Sequence, residues 1–252
     1  MTSLAVDHQA VWIGLRGGLV VVVSAATILL SARPAAARGI CELLLADNPV
    51  VLPSPLLLPP SAPAAADSAN DYRQQLRSTA LGWPLRDIWC VWVEPSARGE
   101  TPSATTDPWQ VAVARALAEW GQLLPIHLVP APERAQVTIW RRRPPLAVDP
   151  AGRPRASHGR AILSLHRQAS TVPAWVEPRV QLLISPGQRL EAIQATALHE
   201  LGHAFGLWGH SDDPGDAMAI SPGPQPILRL SARDRATVRW LYAQPSPLRS
   251  DP

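Results

Sequence analysis

The sequence contains no lysine, and among its 252 residues it has only 2 cysteines, 2 tyrosines and 1 phenylalanine. Two cysteines allow at most one disulfide, which excludes a disulfide-framework fold and a metal site built from a cysteine cluster. The net charge of +3 is too small to indicate a nucleic-acid-binding protein. Apolar residues make up 46% of the chain, which is enough to bury a core and excludes wholesale disorder.

Long apolar runs are also scarce, and the clearest one lies near the N-terminus, where residues 19–30 read LVVVVSAATILL. Arg16 precedes this run and three alanines, residues 35–37, follow it. This is the pattern of a secretory signal peptide with a small-residue cleavage site. The run alone is too short for a comfortable membrane span. We therefore predict a signal peptide over residues 1–37 and a secreted or periplasmic location; the alternative is an uncleaved N-terminal membrane anchor.

Proline divides the remaining chain. Residues 48–66 consist mostly of proline, alanine, leucine and serine, and proline blocks both regular helix and sheet ladders. We predict that residues 38–76 form a Pro-rich linker or pro-segment. The folded domain is predicted over residues 77–244, followed by a C-terminal tail over residues 245–252.

Apolar periodicity within that domain predicts alternating strands and helices. Strands are predicted over residues 87–94, 126–129, 136–140, 160–165 and 179–184, and helices over residues 108–121, 188–205 and 231–241. Asp107 and Gln110 suit a capping box for the first helix, and Ser231 and Asp234 suit one for the last. This order predicts an α+β domain with one twisted mixed sheet and two or three helices.

The segment His199-Glu200-Leu201-Gly202-His203 is an HExxH motif inside the second predicted helix. Two histidines four residues apart emerge from the same helix face, about one turn apart. Neutral imidazoles at this spacing hold Zn²⁺ at about 2.0–2.1 Å each. Glu200 lies beside them and can take the proton of a zinc-bound water as that water attacks a peptide carbonyl. The motif therefore predicts His199 and His203 as metal ligands and Glu200 as the general base.

A third ligand has to approach the metal from outside the helix, and Gly206 marks a place where the chain can turn back. Glycine adopts positive φ at little steric cost, so it can end the helix and reverse the chain. His210 can then complete a three-ligand site with an open position for water, which is the catalytic pattern. Asp212 and Asp213 are the alternative third ligands.

The segment HELGHAFGLWGHSDDPGDAM, residues 199–218, resembles the active-site segment of metzincin zinc endopeptidases, in particular the matrixin branch. More moderate similarity extends over residues 83–243, including the helix from Trp109 with the LPIHLVPAPERAQVTIW that follows it, and LSARDRATVRWLYA near the C-terminus. The resemblance implies a metzincin-like zincin domain with Zn²⁺ as its cofactor. It further implies that His199, His203 and His210 are ligands, that Glu200 is the base, and that Met218 lies in a turn beneath the metal.

The turn before the third histidine departs from the family pattern. Matrixins carry that histidine three residues after the glycine, where this sequence has Gly209, and His210 comes one residue later. The spacing from His210 to Met218 keeps the family register, so the extra residue lies before the ligand. We select His210 because three neutral imidazoles leave zinc its full charge to acidify water. A glycine at 209 would accommodate the extra residue through backbone angles that other residues avoid.

Together these features predict a secreted zinc-dependent endopeptidase that acts on protein or peptide substrates as a monomer. No nucleic-acid partner is expected, and membrane contact is expected only through an uncleaved anchor. The alternative is a non-catalytic zinc-binding protein of the cell envelope, a binding module. The intact Glu200 favours the enzyme, because a binding module needs no general base at that position.

Two smaller predictions concern cysteine and histidine outside the motif. In an oxidising compartment, Cys41 can form a disulfide with Cys90; alternatively, its thiolate covers the zinc in a latent form. His158 and His166 are candidates for a second metal site, against the alternative that they are ordinary core or exposed histidines.

Overall fold

β-branched and aromatic residues favour an extended backbone, and segments rich in them that are bounded by turn residues form strands. The protein is seen here in a computed structural model that describes residues 41, 50–53, 55–58, 70–96, 107–148, 152–168, 175–221 and 223–249. The strands within these ranges are β1 (Val50–Val51), β2 (Trp89–Val93), β3 (Ile126–Leu128), β4 (Val137–Trp140), β5 (Ala147–Val148), β6 (Pro154–Arg155), β7 (Gly159–Gln168) and β8 (Trp175–Ile184).

Six of the described strands form one mixed sheet in the order β1-β7-β8-β4-β2-β3. Strands β8, β4, β2 and β3 run parallel to one another, whereas β7 is antiparallel to β8 and β1 is antiparallel to β7. Strands β5 and β6 form a separate two-stranded sheet. The long strand β7 therefore has only the short strand β1 on its outer side among the described residues.

The helices within the described residues are α1 (Pro108–Trp120), α2 (Leu190–Ala204) and α3 (Ala232–Tyr242). Asp107 caps α1 by accepting a backbone N–H from its first turn, and Ser231 and Asp234 form the predicted capping box of α3. Gln110 does not complete a box at α1, contrary to the prediction, because its side-chain amide donates to the carbonyl oxygen of Glu94. The coarse prediction of an α+β fold with one mixed sheet and up to three helices is confirmed for this part of the chain.

Tryptophans join the helices to the sheet and to each other. The indole N–H of Trp120 donates to the carbonyl oxygen of Leu198, at 3.0 Å, and so connects α1 to α2. The indole N–H of Trp109 donates to the carbonyl oxygen of Ile184, at 3.3 Å, and connects α1 to β8. Each ring buries apolar area while its single polar group finds a partner. These contacts fix the position of α2, which carries the HExxH motif.

Residues that precede the predicted start of the domain at residue 77 also contribute to the core. Tyr72 and Leu76 are buried, and the short 3-10 helix Arg73–Gln75 lies between them. Cys41 is bonded to Cys90 of β2 in a disulfide, as one of the two cysteine predictions requires. The alternative, a Cys41 thiolate over the metal, is wrong because this sulfur is already bonded to another sulfur.

Two predictions concern the N-terminal part of the chain, namely the signal peptide and the Pro-rich segment. The signal peptide or anchor predicted over residues 1–37 lies outside the described residues. Among the residues that are described, no helix combines the length and the apolarity needed to cross a bilayer. Sheet pairing does occur in the Pro-rich stretch, contrary to the prediction, because Val50 and Val51 come before Pro53 and pair with β7.

Candidate metal centre

Helix α2 carries His199 and His203 one turn apart. The centroids of their imidazole rings lie 4.9 Å from each other. The opposite side of the helix is apolar, with Ile193, Ala197 and Leu201 all buried. Because this apolar side packs into the core, both imidazoles of the motif are directed toward the same cavity. That cavity, of about 360 Å³, is lined by both histidines and by Glu200.

The helix ends at Ala204, and Gly206 follows, as predicted, in a turn that sends the chain back toward the site. Gly206 has a φ of +102°, a backbone conformation that costs glycine little. Its N–H donates to the carbonyl oxygen of His203, and the N–H of Leu207 donates to that of Gly202. This pair of bonds is a Schellman motif, which satisfies carbonyl groups that the helix end would otherwise leave unpaired.

His210 returns to the other two histidines after this reversal. Its ring centroid lies 4.9 Å from that of His203 and 5.2 Å from that of His199. The potential ligand atoms of the three side chains all lie within 4.8 Å of one another, which is close enough to hold a metal ion. The structure therefore brings together the three histidines singled out in the sequence.

Gly209 is needed in this turn for a reason different from the one predicted. It is not among the glycines with positive φ, so unusual backbone angles are not what it supplies. A Cβ at this position would instead lie 2.1 Å from the carbonyl oxygen of Gln75. The extra residue before His210 thus fits because a side chain is absent where two backbone segments approach each other closely.

Hydrogen bonds orient the imidazoles of α2. Nδ1 of His203 lies 2.7 Å from the carbonyl oxygen of Leu207, and Nδ1 of His199 lies 2.9 Å from that of Ala217. A carbonyl only accepts, so each Nδ1 carries the proton and donates it, which leaves the Nε2 lone pair of each ring for a metal. This second layer of contacts is typical of histidines that coordinate metals.

Burial keeps the three imidazoles neutral. Loss of hydration lowers the pKa of His199, and it lowers the pKa of His203 to about 3 and that of His210 to about 4. The neighbouring imidazoles lower the pKa of His203 and His210 further. At neutral pH the site is therefore a set of unprotonated donors that need not release protons before a metal binds.

Among the residues that the structure describes, Glu200 is the one carboxylate that lines the cavity. Its side chain is 9% exposed, and this burial raises its pKa to about 7. The backbone N–H of Ala161 in β7 donates to the carboxylate, and the charge of Arg160 acts in the same direction, so both oppose the effect of burial. Glu200 can therefore gain or release a proton near neutral pH.

Met218 is fully buried and packs directly against the helix. A Cβ placed on Gly202 would lie only 2.1 Å from its sulfur, so the thioether occupies the space beside α2 between the turns that carry His199 and His203. The turn around Met218 is closed by Ser211, whose N–H donates to the carbonyl oxygen of Met218. This arrangement joins the segment after His210 to the base of the site.

Asp234 fixes the same turn from the start of α3. Its fully buried carboxylate accepts the backbone N–H of Ala217, at 2.8 Å, and the hydroxyl of Tyr72, also at 2.8 Å. The carbonyl of Ala217 in turn accepts from His199. The sequence does not indicate this role of Asp234, because its place as the third residue after Ser231 predicts a helix cap but not a contact with the site.

The alternative acidic ligands lie elsewhere. Asp212 and Asp213 are exposed and form ion pairs with Arg233, and the buried Asp216 also pairs with Arg233. Within the described part of the chain, the metal-capable cluster consists of the three histidines alone. His166 bonds to Ser164, and neither His158 nor His166 belongs to such a cluster among those residues.

Comparison with known proteins adds no family assignment. No protein-family model matches the chain, and no curated protein sequence shows significant similarity to it. Function is therefore inferred from the residues and the geometry of the site.

Proposed function

We propose that this chain is an exported zinc-dependent endopeptidase of the metzincin type. The observation that carries the proposal is the convergence of three neutral imidazoles and one carboxylate, Glu200, on a single cavity. The mixed sheet, the helix with HExxH, the reversal at Gly206 and the buried Met218 all support a metzincin-like fold. The matrixin-like sequence of residues 199–218 points the same way.

The donor set suits zinc. Imidazole nitrogen is a borderline-soft ligand that zinc accepts readily, and three protein ligands leave a position open for water or substrate. The Nδ1 atoms of His199 and His203 donate hydrogen bonds to carbonyl groups. The nitrogens that remain free to bind the metal are therefore the two Nε2 atoms and a ring nitrogen of His210. When bound, zinc acts as a Lewis acid that lowers the pKa of water and polarises a carbonyl group.

Glu200 handles the proton in the proposed reaction. Its carboxylate accepts a proton from the attacking water and passes it to the amine that leaves when the peptide bond breaks. Burial in the metal-free site raises the pKa of this carboxyl above its usual range, which makes the carboxylate a stronger base than an exposed glutamate. We expect the backbone N–H of Ala161, which donates to this carboxylate, to orient it at the cavity wall that Ala161 also lines.

The test compares Glu200→Gln with the wild-type full chain, each loaded with zinc and incubated with a mixed peptide library. We expect wild-type protein to generate new peptide ends detectable by mass spectrometry. We expect Glu200→Gln to retain about one zinc per chain while losing most of this activity, since an amide cannot accept the proton. A chelator should stop cleavage by wild-type protein, and added zinc should restore it.

Glu191→Gln is the matched control, because Glu191 lies in the first turn of the same helix and is exposed. It should cleave the library as the wild type does. Equal cleavage by Glu200→Gln and wild type would contradict the assigned role of Glu200. Zinc binding without cleavage in the wild type and in every variant would favour the non-catalytic binding module.

A further inference from the structure

A segment before the predicted domain crosses the entrance of the metal cavity. We call it the strap; it comprises residues 50–53 and 55–58. Its first part pairs antiparallel with β7, with Val50 opposite Arg167 and Val51 opposite His166. The N–H of Leu52 then donates to the carbonyl oxygen of Leu165 at 2.9 Å. The strap thus pairs with the outer edge of β7, the strand whose Ala161 N–H donates to the carboxylate of Glu200.

The strap continues along β7 toward its first residues, which lie next to Glu200. Its prolines form no further backbone hydrogen bonds with β7 as donors. Pro53 and Pro55 have no N–H to donate, so they cannot extend the pairing. Extending the antiparallel register of β1 sets Leu57 opposite Arg160. Leu57 does line the cavity together with Arg160 and Ala161, so the direction of the strap is maintained although the ladder ends.

The far end of the strap is tied to the opposite rim. Leu58 and Ser78 exchange two backbone hydrogen bonds, at 2.8 and 3.0 Å. The adjacent N–H of Arg77 donates to the carbonyl oxygen of Trp208, at 2.7 Å, and Trp208 lines the cavity. The strap therefore connects β7 on one side of the cleft to the turn before His210 on the other.

The two central leucines of the strap differ in their surroundings. Leu57 is partly buried and packs against the core cluster, and it lines the same cavity as the three histidines and Glu200. Leu56 is 72% exposed. One leucine is thus inserted toward the site while its neighbour faces solvent, as alternate residues of an extended chain do.

We propose that the strap occupies the binding track for an extended peptide and holds Leu57 where a substrate side chain would lie, so that this form of the protein cleaves peptides more slowly than a form whose strap has been released. The proposal rests on the peptidase function proposed above. An extended peptide binds a sheet edge through backbone hydrogen bonds, with side chains entering pockets. The strap takes that edge, and its prolines withhold the donors that would align one of its own peptide bonds for attack.

The disulfide extends the proposal to the way the strap is released. Cys41 precedes the strap and is bonded to Cys90 of β2, while Leu58 is bonded to Ser78 at the other end. A single cut after the strap leaves it attached through the disulfide and through β1. Release therefore requires cleavage of the chain together with reduction of the disulfide.

The first test substitutes Leu57→Asp in the full zinc-loaded chain, with Leu56→Asp as the matched control. One readout is the rate at which a chromogenic chelator removes zinc, which needs no catalysis; the other is kcat/KM for a peptide from the library. Burial of a leucine side chain corresponds to an equilibrium factor of about tenfold or more. We expect Leu57→Asp to raise both quantities by about that factor, and Leu56→Asp to leave both near the wild-type values.

Unchanged zinc removal and unchanged kcat/KM in a folded Leu57→Asp protein would overturn the proposal. Faster zinc removal with no cleavage in any variant would support the strap as a cover and contradict the peptidase function, so the two failures are distinguishable.

The second test keeps Leu57 and is independent of whether Leu57→Asp folds. A specific protease site is inserted between Pro60 and Asp67, and the full chain is cut with and without a reductant. We expect zinc removal to remain slow after cutting alone and to accelerate when reduction releases the N-terminal fragment. A full acceleration after cutting alone would overturn the role of the disulfide, and slow removal after both treatments would overturn the strap as a cover.

Discussion

Gly159 lies at the start of β7, where its lack of a side chain leaves room for Glu200. A Cβ at this position would lie 2.6 Å from both Cγ and Oε1 of Glu200 and 2.6 Å from Cγ2 of Thr196. Gly159 is not among the residues with positive φ, so alanine can adopt its backbone conformation. Gly159→Ala therefore tests the position of Glu200 through steric contact alone.

The magnitude follows from the distances. Carbon atoms in favourable contact are about 3.5–4.0 Å apart, so Glu200 has to move by about 1 Å to accept the new methyl group. A misplacement of about 1 Å in a reacting group costs roughly 100-fold in rate. The extra carbon also costs about 1–3 kcal/mol of stability through overpacking. None of the three histidines is among the nearest contacts of the added Cβ, so zinc affinity should stay unchanged.

The assay measures kcat for a cleaved peptide and, separately, the zinc affinity of the same preparation. Gly223→Ala is the matched control, because a Cβ there meets nothing within 4 Å. We expect Gly159→Ala to lose about 100-fold in kcat with normal zinc affinity, and Gly223→Ala to lose neither. A folded, zinc-loaded Gly159→Ala protein with the wild-type kcat would refute the argument that the position of Glu200 against β7 matters for the reaction.

Two further predictions concern the ligand set and its support. His210→Ala should weaken zinc binding by more than about 100-fold, the upper range for loss of an outer contact, whereas Asp212→Ala should not; the reverse order in a zinc competition assay would mean that an acid is the third ligand. Asp234→Ala should lower the free energy of unfolding of the metal-free protein by about 3 kcal/mol. The substitution removes the acceptor of the buried N–H of Ala217 and of the Tyr72 hydroxyl. Urea denaturation measures this loss, with the 76% exposed Asp212 as the control; a loss below about 1 kcal/mol would contradict it.

The sequence predicts those parts of the site that depend on local geometry. The spacing of His199 and His203 is a property of any helix, and the φ of Gly206 follows from the need to reverse the chain after α2. The capping of α3 by Ser231 and Asp234 is equally local. These features agree with the structure because each depends on residues only a few positions apart.

Features that depend on contacts between residues far apart in the chain could not be predicted from the sequence. The bond between Tyr72 and Asp234 joins residues 162 positions apart, and nothing near either residue indicates the other. The true reason for Gly209 is likewise the passing backbone of Gln75. The prolines after Val51 correctly indicate where pairing must stop, but they do not indicate that two residues before them reach β7.

The disulfide between Cys41 and Cys90 makes a covalent ring of the chain segment that contains the strap, with its two ends 49 positions apart. A strap lifted from β7 cannot diffuse away from this ring, so it competes with substrate as a tethered ligand. Tethers of modest length give effective concentrations of the order of millimolar. An incoming peptide must therefore outcompete a local concentration that dilution of the protein does not change, and only opening the ring lowers it.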